Sequence, residues 1–241
     1  MNHCITPIIQ ISIDVTDLDE AMQLARAAVR AGVDWLEAGT PLILAEGMRG
    51  VQAFRREFPG VPIVADLKTM DGAGLEAEVM FKAGANMVVI MGQAADASII
   101  EQVKMAKHYN GKVMCDVMLC PDKPARARQA QEMGVDYIIV HTGFDERNHA
   151  RERFGRILSP LDDLPAVLQA VTIPVQAVGG LSIDQAVQTL EMGAQIVVFG
   201  APLVISGHAF KAQAGFEDKL REIAQRVKRT RIGGAVTNPE S

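Results

Sequence analysis

Ile8-Ile9-Gln10-Ile11-Ser12-Ile13-Asp14-Val15-Thr16-Asp17 separates two architectures that share alternating strands and helices. Ile8 to Ile13 is apolar and β-branched enough to read as a buried strand. A doubly wound sheet would follow that strand with a G-x-G-x-x-G turn. Here Asp14-Val15-Thr16-Asp17 follows, with no glycine. Beyond it, further short apolar runs recur at Trp35 to Ala38, Val61 to Ala65, Met87 to Met91, Val113 to Val117, Tyr137 to Val140, Val175 to Val178 and Ile196 to Phe199. Amphipathic stretches such as Leu18 to Ala31, Glu76 to Ala83, Ala97 to His108 and Lys123 to Met133 lie between them. Gly32, Gly84, Gly134 and Gly193 each stand where a helix would need a residue at positive φ to stop. Eight such βα units close a single (β/α)8 TIM barrel, expected over 1–231, with 232–241 as a flexible tail.

In that fold the working face lies at the C-terminal ends of the strands. Asp14, Glu37, Asp66, Lys68, Gln93, Asp116, His141, Gly179, Gly180, Gly200 and Ala201 are expected there. Carboxylates at one mouth repel each other unless a lysine, a divalent cation or both sit among them. Ala65-Asp66-Leu67-Lys68-Thr69-Met70-Asp71 is the densest run, with two acids flanking one cation at a strand end; Asp71 reads equally as a helix cap. Asp116 reads equally as a strand-end cap. Gly179-Gly180 after strand seven and Gly200-Ala201 after strand eight stand where barrels commonly hold a phosphate on backbone N–H groups. His141 ends strand six and suits proton transfer, whereas His3, His108, His149 and His208 read as surface.

Hydrophobic residues make up 49% of the 241 and charged residues 22%, which suits an aliphatic core in one large domain. A net charge of −5 argues against a nucleic-acid partner, although Arg147, Arg151, Arg153 and Arg156 form a local basic cluster interrupted by Glu146 and Glu152. Cys4, Cys115 and Cys120 form no C-x-x-C pair and leave an odd count, so a disulfide framework is not expected. Neither a leader nor a membrane span is legible, and the expected location is the cytoplasm.

Four strings carry a family resemblance: Glu37-Ala38-Gly39-Thr40-Pro41-Leu42, Asp66-Leu67-Lys68-Thr69-Met70-Asp71, His141-Thr142-Gly143-Phe144-Asp145 and Ser159-Pro160-Leu161-Asp162-Asp163-Leu164. Together they resemble 3-hexulose-6-phosphate synthase of the orotidine 5′-monophosphate decarboxylase suprafamily, in order from about Gln10 to Ile205. The resemblance implies an aldol condensation of formaldehyde with D-ribulose 5-phosphate, dependent on Mg²⁺ with Mn²⁺ as the alternative ion, giving D-arabino-3-hexulose 6-phosphate through a stabilised enediolate. It implies Glu37 and Asp66 as metal ligands, Lys68 as the group that stabilises the enediolate, and His141 as acid/base. It retains Asp14 in the catalytic set. It also implies a homodimer with shared active sites, in which Asp71 completes the neighbour's site.

The chain departs from that pattern at Asp145-Glu146-Arg147-Asn148, and an extra segment runs through Leu158. That segment is expected to overhang the mouth and bear on the second substrate. A 3-keto-L-gulonate-6-phosphate decarboxylase is the alternative, but it would resemble this chain more closely with arginines at the positions of Phe144 and Ala201. An orotidine 5′-monophosphate decarboxylase would need an Asp-x-Lys-x-x-Asp site without metal, and Glu37 with Thr69-Met70 does not resemble its pattern. A catalytically silent barrel would have little reason to keep Glu37, Asp66, Lys68, Asp71 and His141 together.

Overall fold

The computed structural model describes residues 6–201, 203–205, 208–210 and 215–233, so His3, Cys4, the side chain of His208 and residues 234–241 of the tail lie outside the described residues. Eight parallel strands form a closed barrel: β1 Ile8–Ile13, β2 Trp35–Ala38, β3 Ile63–Thr69, β4 Met87–Met91, β5 Lys112–Asp116, β6 Tyr137–His141, β7 Val175–Val178 and β8 Ile196–Ala201. Closure is made by β1 on β8, with Gln10 opposite Val198 and Ile13 opposite Ala201. The helices are α1 Leu18–Ala31, α2 Thr40–Glu46, α3 Met48–Glu57, α4 Ala73–Ala83, α5 Asp96–His108, α6 Lys123–Met133, α7 Phe144–Phe154, α8 Leu164–Ala170, α9 Ile183–Met192 and α10 Phe216–Arg229. A 3₁₀ turn at Pro160–Asp162 precedes α8. A small antiparallel pair, β9 Leu203–Ile205 and β10 His208–Phe210, follows the barrel and is not anticipated above.

The four glycines that stop α1, α4, α6 and α9 all take left-handed backbone, at φ 93, 104, 96 and 119. Two residues after each comes a polar side chain, Asp34, Asn86, Asp136 or Gln195, just before an even-numbered strand. Each accepts an N–H from the first or second residue of the preceding odd-numbered strand: Ile9 N donates to Asp34 at 2.7 Å, Ile63 N to Asn86 at 2.9 Å, Val113 N to Asp136 at 2.9 Å and Val175 N to Gln195 at 2.8 Å. These side chains tie the lower ends of strand pairs that backbone pairing alone leaves open. The repeating unit is therefore β-α-β-α, used four times.

Side chains alternate across each strand, so one set faces the helices and the other fills the barrel. The outward set joins the helices in the larger core, with Ile9, Ile11, Ile13, Leu36, Ile63, Ile90 and Val113 among its buried members. The inward set packs as a second cluster of Trp35, Val64, Met87, Val89, Met114, Ile139 and Ile196. Trp35 meets Tyr137 edge-on at 5.6 Å. Two residues further along β2, β3, β5 and β6, the same inward parity delivers Glu37, Asp66, Asp116 and His141 to the top of the barrel.

The strand boundaries differ from the sequence reading chiefly at β3, expected to stop at Ala65 but extending through Thr69. Its pairing with β4 slips between Ala65 and Thr69, and Lys68 there takes φ 47. Such a bulge re-aims a side chain, and a non-glycine residue in this conformation costs about 1–2 kcal/mol.

Candidate active site

Glu37 and Asp66 are buried. Ser12 Oγ donates to Glu37 Oε1 at 2.8 Å, Gln10 Nε2 donates to Glu37 Oε2, and Gln176 Nε2 donates to Gln10 Oε1 at 2.9 Å. Burial, then the charges of Asp66 and Asp14, push the Glu37 pKa up to about 8. Asp14 is shifted up as well, first by burial against the protein at its base and next by Asp66, although its outer face is open to solvent at the mouth. Gly39 makes room for it: a Cβ at that position would lie 2.1 Å from Asp14 Oδ1.

Lys68 Nζ bonds Asp66 Oδ2 and reaches Thr40 Oγ1 at 3.3 Å. Thr40 Oγ1 in turn lies 2.8 Å from the Asp66 carbonyl and 3.0 Å from its Oδ2. Burial, the largest single influence on Lys68, opposes its charge, but the charge and hydrogen bond of Asp66 outweigh it and leave the pKa raised. Asp66 Oδ1 is buried with no hydrogen-bond partner. An ionised oxygen in that position has a cost that only a further cation or donor removes.

The oxygen-only donor set of Glu37 and Asp66 suits a hard divalent ion. Among the described residues no three His, Cys, Asp or Glu side chains converge as a complete metal cage. Mg²⁺ commonly binds through one or two carboxylates and keeps water or substrate oxygens for the rest, so two ligands with one unsatisfied oxygen fit it.

Across the mouth, His141 Nδ1 lies 2.7 Å from Asp116 Oδ2, and Asp116 Oδ1 accepts the Met118 N–H at 2.8 Å. Asp116 is thus more than a strand-end cap. As a carboxylate acceptor it places the imidazole proton on Nδ1 and leaves Nε2 as the free lone pair. Asp71 is exposed, and Gly72, not Asp71, caps α4, without a side-chain bond. That removes the helix-cap explanation for Asp71. Gln93 Nε2 donates to the Leu119 carbonyl at 2.7 Å, a loop contact.

On the other side, Gly179 and Gly180 turn at φ 131 and 65. A Cβ at Gly179 would lie 2.6 Å from the Thr142 carbonyl, so close packing adds to the need for glycine. Both glycines line a cavity of about 210 Å³ together with Arg147, Arg151, Arg156 and Ser159. Gly200 and Ala201 are not part of that lining. They remain in β8, where the Ala201 carbonyl accepts the Asp14 N–H at 2.9 Å. Of the extra segment, Arg147, Asn148, Arg151, Arg156, Ile157 and Leu158 line this cavity. Arg153 is not part of the cavity wall.

Sequence reasoning did not assign Gln10, Ser12, Thr40 or Gln176 to the site. The signal was present in Gln10, Ser12 and Gln176, polar residues at inward parity inside apolar strands. His108 and His149 are exposed, as expected. No helix among the described residues is long and apolar enough to cross a membrane.

The model of the orotidine 5′-phosphate decarboxylase / HUMPS family matches residues 7–214. A 3-hexulose-6-phosphate synthase of Mycobacterium gastri is 34% identical over 209 residues, covering 87% of this chain and 96% of the relative. The crystal structure of the 3-hexulose-6-phosphate synthase from Salmonella typhimurium superposes with a TM-score of 0.78 at 30% identity, covering 91% of this chain and 99% of that one. A 3-keto-L-gulonate-6-phosphate decarboxylase from Vibrio cholerae superposes with a TM-score of 0.72 at 25% identity, covering 92% and 99%.

Proposed function

The chain belongs to the orotidine 5′-phosphate decarboxylase / HUMPS family and is an enzyme of the 3-hexulose-6-phosphate synthase type, a lyase, and on that premise we propose that it joins formaldehyde to D-ribulose 5-phosphate to give D-arabino-3-hexulose 6-phosphate, with Mg²⁺ held by Glu37 and Asp66. The observation that carries this reading is Asp66: one oxygen is engaged by Lys68 and Thr40, and the other is buried and bare. Bound there, Mg²⁺ would supply Lewis acidity to the ketose oxygens.

The protein's own groups divide the remaining work. His141 Nε2, fixed by the Asp116 contact, is the proton carrier facing the mouth. Removing the C1 proton of the ketose leaves an enediolate, and the Lys68 ammonium stands where that negative charge needs a cation. The C1 carbon then attacks the formaldehyde carbon, the carbonyl π pair becomes an alkoxide, and a proton returned to that oxygen completes the product.

We place the active enzyme in the cytoplasm as a homodimer with shared sites. Buried free thiols at Cys115 and Cys120 accord with a reducing setting. Leu75 and Val79 on α4, Met70 just before it and Ile100 on α5 are exposed large apolar residues around Asp71, which accords with a covered face there. If Asp71 serves the partner's site, equal mixing of Asp71→Ala and Lys68→Ala subunits should restore about a quarter of wild-type activity, because half the dimers would be mixed and carry one intact site each. No recovery despite proven subunit exchange would return Asp71 to its own subunit.

The direct test is purified protein with Mg²⁺, ribulose 5-phosphate and formaldehyde. Consumption of both substrates in equal amounts, abolished by EDTA and restored by Mg²⁺, is expected. Full activity in excess EDTA would remove the metal assignment. Carbon dioxide release from 3-keto-L-gulonate 6-phosphate, without formaldehyde consumption, would replace the reaction with the decarboxylase alternative.

A further inference from the structure

α7 is an unusual helix for this barrel. Ala150 is its one buried residue, and Phe144, Phe154 and the following Ile157 are exposed, so core packing does not explain its presence. What it does bring is Arg147, Arg151 and, just after it, Arg156, all on the wall of the cavity that Gly179 and Gly180 close from the other side. No carboxylate contributes to that wall, although Glu146 and Glu152 alternate with the arginines in sequence.

Several arginines elsewhere in the structure are neutralised by acids. Arg26, Arg30, Arg126, Arg221 and Arg226 each pair with an Asp or Glu. Among the described residues no carboxylate pairs with Arg147, Arg151 or Arg156. Arg147 is the most constrained of the three: its Nε donates to the Thr142 carbonyl at 3.2 Å, and its guanidinium carbon sits 5.9 Å from the Phe144 ring centre. That fixes the plane and leaves the two terminal nitrogens without a partner among the described residues. Nη1 packs on Gly180 so closely that a Cβ there would be 1.8 Å away. Burial, with Arg151 nearby as a second cause, holds the guanidinium below its ordinary pKa. A half-buried, oriented, unpaired fork beside two glycines in a cavity with room for several waters is suited to a tetrahedral dianion.

We infer that the cavity beneath α7 is an anion subsite for the phosphate end of the substrate, with Arg147 as its bidentate donor and Arg151 and Arg156 as rim cations. The assignment rests on the reading of a phosphorylated ketose, and it adds a side-chain clamp to the backbone cradle at Gly179 and Gly180. It also explains why the glycine at 180 is required for space: any side chain would displace the fork.

Inorganic phosphate is the probe, titrated by calorimetry into the full-length protein, beside steady-state kinetics with ribulose 5-phosphate. Arg147→Met, which keeps an unbranched stem on Phe144, should weaken phosphate by about 10–100-fold, with the kinetic loss falling on KM and the melting temperature unchanged. Arg147→Lys should fall between it and wild type, since it keeps the charge and loses the fork. Undiminished phosphate affinity in folded Arg147→Met overturns the subsite; should that variant not fold, undiminished affinity in Arg147→Lys does so. Phosphate binding through Arg147 without turnover of ribulose 5-phosphate would leave the subsite standing and remove the proposed reaction. Turnover with KM unmoved by Arg147→Met would do the reverse.

Discussion

On the β1–β3 side of the mouth the Glu37 and Asp66 carboxylates are buried and held by named neighbours: Ser12 and Gln10 on Glu37, and Thr40 and Lys68 on Asp66. On the α7 side three arginines line a cavity with no carboxylate in it. The first arrangement is assembled before any substrate arrives, and of the four oxygens of Glu37 and Asp66 only Asp66 Oδ1 remains unsatisfied. The second is incomplete until an anion enters. Charges already positioned by the fold act most strongly where charge develops during reaction, whereas an unfilled cationic cavity acts on binding. Damage to the acidic side should therefore appear in kcat and damage to the arginine side in KM.

The sharpest break of that contrast is at the His141–Asp116 pair. His141→Gln removes the titrating ring and should lower kcat by roughly 10²–10⁴-fold, with metal affinity nearly unchanged. Asp116→Asn should cause a smaller loss and alter the pH profile, because an amide no longer enforces the Nδ1 tautomer. A change confined to stability would reduce His141 to a packing residue. Lys68→Ala comes next, at about 10²–10³-fold in kcat, as expected for one electrostatic donor. If its loss fell wholly on KM, the two sides of the mouth would not divide the work as described.

The smallest effect is on stability. Glu37 in the metal-free protein has its pKa raised from 4.5 to about 8, so between those values the folded chain holds a proton that the unfolded chain releases. Stability should then fall as pH rises through that window, and metal should bind more tightly over the same range as it displaces the proton. Melting temperatures of wild type and Glu37→Gln at the two ends of the window check this. A wild-type slope no steeper than that of Glu37→Gln would place Glu37 in a more polar setting.

Much of this arrangement is legible in the sequence because strand parity is strict. β1, β2, β4 and β7 fall where the apolar runs place them, and inward parity along β2, β3, β5 and β6 carries Glu37, Asp66, Asp116 and His141 to the mouth. Legibility fails where the backbone breaks the pattern. β3 bulges at Lys68, so an alternation count cannot say where the ammonium points, and the link from Thr40 to Asp66 joins residues 26 apart in sequence. β9 and β10 are three residues each, too short to stand out beside eight barrel strands. The arginine cluster was visible as charge, but its meeting with Gly180 depends on how α7 folds back over β7.

The most direct measurement is exchange of the C1 proton of ribulose 5-phosphate in deuterium oxide, followed by proton NMR with Mg²⁺ and without formaldehyde. Wild type should exchange one C1 proton stereoselectively, EDTA should stop it, and Lys68→Ala and His141→Gln should slow it in proportion to their loss of kcat. Exchange at the wild-type rate in both variants, or none in a wild type that consumes formaldehyde, would contradict the assignment of proton transfer and charge stabilisation to these residues.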